Sequence, residues 1–177
     1  MLFLTIWKLN FCPWRSQIQR KSFFEHLLQL YEYEFSDITK LEVNRQGLFT
    51  NVELQKHLDE GSCRPYLMQY QGKWAGLAVV NLKSYLNDDP HVKDIAEFFL
   101  MKLYRKRRIG LLMASHLFDL FPGKWEVRQF PEATEARAFW LRVISHYTNQ
   151  HFKDEFIDHS RWKGHIQTFF SKNNEIH

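Results

Sequence analysis

Residues 97–118 read EFFLMKLYRKRRIGLLMASHLF, and the order of properties along this stretch decides the fold. Ile95 to Leu103 is apolar at nearly every position, as in a strand covered on both faces. Ile109, Leu112, Met113, Leu117, Leu120 and Phe121 then recur at steps of three and four until Pro122-Gly123 ends the run, so a helix follows. Between strand and helix lies Tyr104-Arg-Lys-Arg-Arg-Ile-Gly110. A helix that starts where a strand ends presents unpaired backbone N–H groups and roughly half a positive charge to whatever lies beyond. Gly110 removes a Cβ at the tightest point, and the flanking cations add charge-assisted bonds, so the segment reads as a seat for a diphosphate.

Upstream, Ser22-Phe-Phe-Glu25 has the form of a capping box, and Leu27, Leu30, Tyr31 and Phe35 follow at helical spacing, which places a helix near residues 18–35. Thr50-Asn-Val-Glu53 repeats the start signal and Gly61 the stop, giving a short helix over 52–60, with 36–50 irregular between them. Pro65 to Tyr70 and Trp74 to Leu82 flank the Gln71-Gly72 turn as an antiparallel hairpin. Downstream, Trp125 to Phe130 alternates as a strand and residues 133–147 return to helical spacing. Phe152–Ile157 and His165–Phe170 then read as a closing hairpin. Met1 to Trp7 is apolar without a basic leader or a cleavage site and reads as the first strand. The order is β-α-α-β-β-β-α-β-α-β-β, an α+β layer structure in one domain over residues 1–177.

Composition narrows the function classes. With 45% hydrophobic and 25% charged residues, the chain lies far from the disordered range. Its scattered glycines form neither a G-x-G-x-x-G nor a Walker loop, which excludes those nucleotide sites. Two cysteines, Cys12 and Cys63, supply no zinc cluster and no disulfide scaffold, so a reduced, cytoplasmic setting is expected. No run approaches the ~18 apolar residues of a membrane span. The histidines form no H-x-x-x-H or H-E-x-x-H pair, so no metal is expected. Ser115-His116 lacks a nucleophile elbow. Net charge is +4, yet Lys102, Arg105, Lys106, Arg107 and Arg108 alone carry +5. The rest is nearly neutral, which suits one compact polyanion and argues against nucleic acid, whose binders spread cations over a long face.

The strand, the [RQ]-x-x-G-x-[GA] pattern met at Arg105 and Gly110, and the helix after it resemble the GNAT superfamily of acyl-CoA-dependent N-acyltransferases. The likeness extends over nearly the whole chain, through the helix with Ala136-Arg-Ala-Phe-Trp-Leu-Arg-Val-Ile. It implies a mixed, largely antiparallel central sheet with a V-shaped splay between the fourth and fifth strands and helices on both faces. It implies acetyl-CoA as cosubstrate and an amine-bearing acceptor, a small molecule or peptide; dimers are common in the family, so a homodimer is one expected state. Carried over, Arg105, Lys106, Arg107, Arg108, Ile109, Gly110 and Leu111 face the diphosphate, and the main chain of Phe99, Leu100 and Met101 pairs with pantetheine. Two positions depart from the family. Arg108 stands at the motif's first glycine, and Trp140 stands where a tyrosine often protonates the leaving thiolate. An indole N–H cannot serve as that acid. Tyr104 and Tyr147 are then the candidate acids or ordinary packing residues.

An amine attacks a thioester only as the neutral base. Deprotonation at pH 7 costs about 4.6 kcal/mol for a lysine-like amine and about 1 for an α-amine. Glu97, a carboxylate in an apolar strand, is the candidate base, directly or through water; its alternative is a structural pair with a neighbouring Arg or Lys. The aromatic cluster Phe23, Phe24, Tyr31, Tyr33 and Phe35 reads as core or as acceptor-pocket wall. The leading function is acetyl transfer to a primary amine in a ternary complex. The alternative is a catalytically weak acyl-CoA sensor of the same fold. Arg105→Ala and Gly110→Asp should each weaken coenzyme binding in calorimetry, the second more because it sets an anion beside the phosphates; unchanged affinity in Gly110→Asp would remove the site.

Overall fold

A computed structural model of the chain describes residues 9–13, 18–87 and 89–171. Along the chain lie β1 (Leu9–Pro13), α1 (Ile18–Thr39), α2 (Val52–Glu60), β2 (Cys63–Tyr70), β3 (Lys73–Leu82) and β4 (Lys93–Leu100). A single 3-10 turn (Lys102–Tyr104) leads to α3 (Ile109–Leu120), β5 (Gly123–Gln129), α4 (Thr134–Thr148), β6 (Lys153–His159) and β7 (Trp162–Ser171). From α1 onward the elements follow the expected order. The strand expected over Met1–Trp7 lies outside the described residues, and β1 begins at Leu9.

The seven strands form one sheet in the order β1-β2-β3-β4-β5-β7-β6. Every neighbouring pair is antiparallel except β4 and β5, which run parallel. Gln71 and Gly72 both take positive φ, 50° and 75°, the backbone of a two-residue hairpin turn between β2 and β3. One core packs α3 and α4 on the sheet through Ile109, Met113, Leu117, Phe118, Trp125 and Trp140. The other packs α1 and α2 on the opposite face through Phe24, Leu27, Tyr31, Leu54 and Phe99. The mixed sheet with helices on both faces is therefore the fold that the resemblance implied.

Two helix caps and the ends of α1 and of the central strand differ from those expected, each for a local reason. The first helix starts at Ile18 as expected, so Ser22 lies inside α1 and does not cap it; α1 also continues past residue 35 to Thr39, whose Oγ1 bonds back to Phe35 O at 3.1 Å. Asn51 rather than Thr50 caps α2, accepting from Leu54 N at 3.0 Å, while Thr50 Oγ1 is taken by Asn44 Nδ2. The central strand ends at Leu100 instead of Leu103, because the chain turns there and returns Tyr104 to the core while leaving Leu103 exposed. The segment 40–50 is strapped to α1 by Gln29, whose amide bonds both N–H and C=O of Phe49 at 2.8 and 2.9 Å.

Two irregularities shape the centre of the sheet. Val80 pairs with Ile95 and Val79 with Glu97, so Ala96 is an extra residue bulged out of β4. In an even strand Asp94 and Glu97 would face opposite sides; the bulge sets both on the α1 face. Further along, a Cβ on Gly76 would overlap the carbonyl oxygen of Phe99, so β3 approaches β4 more closely than a side chain permits. Gly76→Ala should therefore cost roughly 2 kcal/mol in urea denaturation; a loss below 0.5 would show that the strands give way freely.

Candidate active site at the splay of the sheet

β4 and β5 are paired at two positions, Lys93 with Trp125 and Asp94 with Glu126, and not beyond. The strands part from there toward their C-terminal ends, as expected for the fourth and fifth strands. At the fork Asp94, fully buried, accepts two bonds from Arg128, at 2.7 Å from Nε and 2.9 Å from an η nitrogen. The Arg128 guanidinium also stacks 3.5 Å from the Tyr85 ring centroid and 4.4 Å from that of Trp162. Tyr85 is held by Glu126, which accepts from Tyr85 N at 2.6 Å and from Ser84 Oγ at 2.7 Å. Breaking one half of a buried pair of this kind costs ~3–5 kcal/mol, so the fork is firmly held.

Along the open edge of β4 the peptide groups alternate. Met101 N donates to Ala75 O at 2.9 Å and the Phe99 carbonyl is directed at Gly76, so the peptide groups of both Phe99 and Met101 face β3. Leu100 and Phe98 face the gap by the same alternation. Of the three residues expected to offer main chain to pantetheine, the gap edge thus has Leu100, joined by Phe98, which the sequence reading passed over. The Leu100 carbonyl already accepts Arg105 Nε at 2.6 Å.

Past the gap, α3 starts without a side-chain cap. Arg108 fills its N-cap position with φ 60° and ψ 0°, and Lys106 also has φ 60°. A left-handed non-glycine residue costs ~1–2 kcal/mol; strain of this kind is typical of loops shaped for a ligand. The consequence is that the N–H groups of Ile109, Gly110 and Leu111 open the helix, next to the exposed side chains of Lys106, Arg107 and Arg108. Among the described residues these three cations have no ion pair. Arg105 is different: its η nitrogen bonds Glu34 of α1 at 2.7 Å, so its side chain serves the scaffold. Gly110 is buried against Phe139, whose ring would stand 3.0 Å from an added Cβ. Small size there is thus a packing demand as well, and Gly110→Asp would also press on that ring.

On the α1 side of the gap stands Glu97. Burial pushes its carboxyl up to about 8, with Glu32 and Asp94 adding to the rise while a hydrogen bond from Tyr31 and the charge of Arg128 oppose it. Part of the residue still meets solvent, but the carboxyl end is enclosed by these groups. Burial, with the nearby Glu97 charge, raises the Tyr31 phenol in turn. Glu32, 2% exposed, is likewise raised by burial and is bonded by Asn51 Nδ2 at 2.9 Å. Tyr31, Glu32 and Arg128 carry no motif that names them. The bulge at Ala96 and the helix packing bring them to Glu97, and single-sequence periodicity shows neither.

The remaining candidates fall elsewhere. Trp140 is 6% exposed and lies in the α3-side core, 5.0 Å from Phe98 and 6.3 Å from Phe118 between ring centroids. Tyr147 donates to Asp119 Oδ1 at 2.6 Å, near the far end of α3. Nine residues of helix, ~14 Å, separate Asp119 from Gly110. Tyr104 is buried in the turn after β4, edge-on to Tyr70 at 6.2 Å. A cleft of about 560 Å³ lies under the β3–β4 loop and the β6–β7 turn, lined by Tyr85, Asn87, Asp89 and Arg161 among others. Neither Glu97 nor the start of α3 lines it. Among the described residues no group of three or more His, Cys, Asp or Glu could hold a metal ion, and no helix is long and apolar enough to cross a membrane.

No family model and no curated protein matches this sequence. Solved structures do. A GNAT-family acetyltransferase from Staphylococcus aureus Mu50 matches with a TM-score of 0.59 over 93% of this chain and 99% of its own, at 12% identity. The chain has the GNAT fold. Similar to it as well is the spermidine N-acetyltransferase of Vibrio cholerae in complex with CoA and spermine (TM-score 0.56, 11% identity, 92% of this chain and 95% of that one). An aminoglycoside acetyltransferase in complex with coenzyme A matches with a TM-score of 0.56 at 18% identity, over 92% and 93% of the two chains.

Within this GNAT fold the position of Glu97 has a stability signature. Its carboxyl titrates near 8 when folded and near 4.5 when unfolded, so the folded chain binds the extra proton between those values. The contribution of this group to stability is therefore highest below pH 4.5, falls as pH rises through 8, and is level above. The melting-temperature advantage of Glu97→Gln over wild type should grow from pH 5 to pH 9. An advantage of the same size at both pH values would mean an ordinary carboxyl.

Proposed function

We propose that this protein is an N-acetyltransferase that moves the acetyl group of acetyl-coenzyme A directly to a primary amine within a ternary complex. The observation that carries the reading is one gap with opposite chemistry at its two sides. A helix start without a side-chain cap, flanked by three cations that have no ion pair among the described residues, lies on the α3 side, and a carboxyl raised to about 8 lies on the α1 side. The N–H groups of Ile109, Gly110 and Leu111 would receive the diphosphate, assisted by Lys106, Arg107 and Arg108. The edge of Phe98 and Leu100 would pair with the pantetheine arm, leaving the thioester between the strands.

Glu97 would take the proton as the amine nitrogen forms its bond to the acetyl carbon and the carbon–sulfur bond breaks. The ionised form of a carboxyl titrating near 8 is a stronger base than an ordinary carboxylate, and its fraction grows as pH rises toward 8. The coenzyme thiol, with a pKa near the ~8.5 of free cysteine, can depart as thiolate on N–H support, so the loss of the family's tyrosine at Trp140 is tolerable. The acceptor class is a primary amine, as in the spermidine and aminoglycoside enzymes of the same fold.

A second reading rests on Arg108 and Trp140: an acyl-CoA sensor with the same seat and little turnover. Release of coenzyme thiol over a panel of amines separates the two. The enzyme reading expects release with at least one amine, a rate that rises with pH through about 8, and a fall of ~100-fold in Glu97→Gln with coenzyme affinity within twofold. Tight coenzyme binding without release from any amine would favour the sensor, and full activity of Glu97→Gln would remove Glu97 from the reaction.

A further inference from the structure

The end of β5 carries a polar side chain that the fold leaves unanswered. Gln129 is 3% exposed, and neither its amide nitrogen nor its carbonyl oxygen has a hydrogen-bond partner among the described residues. Buried polar groups are nearly always paired, because a donor or acceptor withdrawn from water without a partner lowers stability. Here one side chain leaves both unmade. An apolar residue of similar length would fill the same space without that cost, so the carboxamide calls for a group that the described residues do not supply.

Its place in the sheet indicates where that group would come from. Trp125 and Val127 lie in the core beneath α3 and α4, so by the alternation of a strand Gln129 stands on the same face. On one side it pairs with His165 of β7. On the other, β4 has already parted, since pairing ends at Asp94 with Glu126, three residues before Gln129. With Ala96 bulged out, the same number of rungs along β4 reaches Phe98, whose side chain packs on the same core. Gln129 and the edge of Phe98 and Leu100 therefore border the gap at one level, with no strand between them. Gln167 Oε1 and Arg137 Nε also lack partners, yet both side chains already hold Asp154 through a nitrogen. They lie one strand further from the gap, between α4 and the pair β7–β6, where a single bridging water suits them. Of these side chains, Gln129 alone borders the gap and has both ends of its amide open.

We propose that Gln129 is a binding residue for the pantetheine arm of the coenzyme, gripping it from the β5 side of the gap. A trans amide points its carbonyl and its N–H to opposite sides. The Leu100 carbonyl is engaged by Arg105 Nε, so at Leu100 the β4 edge offers the arm an N–H, which suits an arm carbonyl. The N–H of that same amide then faces β5, where Gln129 Oε1 accepts it. Gln129 Nε2 donates to the next carbonyl along the arm. An arm held on one side only could swing about the β4 edge; held on both, its thioester is fixed between the strands. The proposal rests on the reading of the gap as the coenzyme site.

Two ligands separate the arm from the phosphates: coenzyme A, and 3′-phospho-ADP, which is coenzyme A without pantetheine. In calorimetry Gln129→Met should weaken coenzyme A roughly tenfold, through the loss of two hydrogen bonds, and leave 3′-phospho-ADP within twofold. Without ligand the same variant should melt at or above the wild-type temperature, because an apolar chain of similar length replaces an orphaned amide. A purely structural glutamine would lose stability instead, and a lower melting temperature with unchanged coenzyme affinity would overturn the proposal. Wild type supplies a measurement that does not depend on the variant. The side-chain amide signals of Gln129, assigned through bonds to its own backbone, should shift with coenzyme A and stay in place with 3′-phospho-ADP. Signals that coenzyme A leaves unmoved would overturn the proposal, and so would equal losses of affinity for the two ligands in Gln129→Met. Each of these results leaves the coenzyme site itself standing. A wild-type protein that binds neither ligand would defeat the functional reading and the proposal together, by a result distinct from the others.

Discussion

β4 and β5 share two residue pairs and no more, and everything proposed for this molecule needs that short contact. Parallel strands normally continue side by side, each burying the other's peptide groups. Here the Asp94–Arg128 pair holds the strands where they meet, and the Ala96 bulge bends β4 just beyond. The edge of Phe98 and Leu100 is left without a neighbouring strand. An opening through the middle of a sheet is reachable from both faces, so in the proposed reaction a donor held by α3 and an acceptor beside α1 would meet without either crossing the core.

Charge is divided between the two sides in a way that the net value conceals. Five cations crowd residues 102–108, but Glu34 engages two of them, and the three that remain flank the start of α3. The loop reaches this arrangement with two left-handed residues that carry side chains, Lys106 and Arg108, where glycine would relax the backbone. At the opposite side burial raises the Glu97 carboxyl to about 8, so at neutral pH most of it holds its proton and the site carries no fixed negative charge there.

The sequence made the fold legible because its signals were local. The apolar run from Ile95, the basic turn, the helical spacing after Ile109 and the Gln71-Gly72 turn each depend on neighbours in the chain, and each lies where its pattern put it. Helix caps were less legible than helix starts: Ser22 and Thr50 match a capping pattern, yet Ser22 lies inside α1, and Asn51 caps α2 while Thr50 is taken by Asn44. The site was half legible. The start of α3 follows from strand, turn and helix, whereas the surroundings of Glu97 depend on a bulge and on long-range packing of Tyr31, Glu32 and Arg128. Arg105 shows the limit most clearly. As a motif residue it pointed to phosphate, but its side chain reaches an acid 71 positions away on α1.

Backbone amide shifts recorded during titration with coenzyme A test the central claim most directly. The account predicts perturbations concentrated at Phe98, Leu100 and Lys106 to Leu111, with weaker ones at Phe139, and little change along β6. Saturating coenzyme that leaves the amides of Ile109, Gly110 and Leu111 unmoved, or that perturbs the β6–β7 hairpin instead, would contradict it.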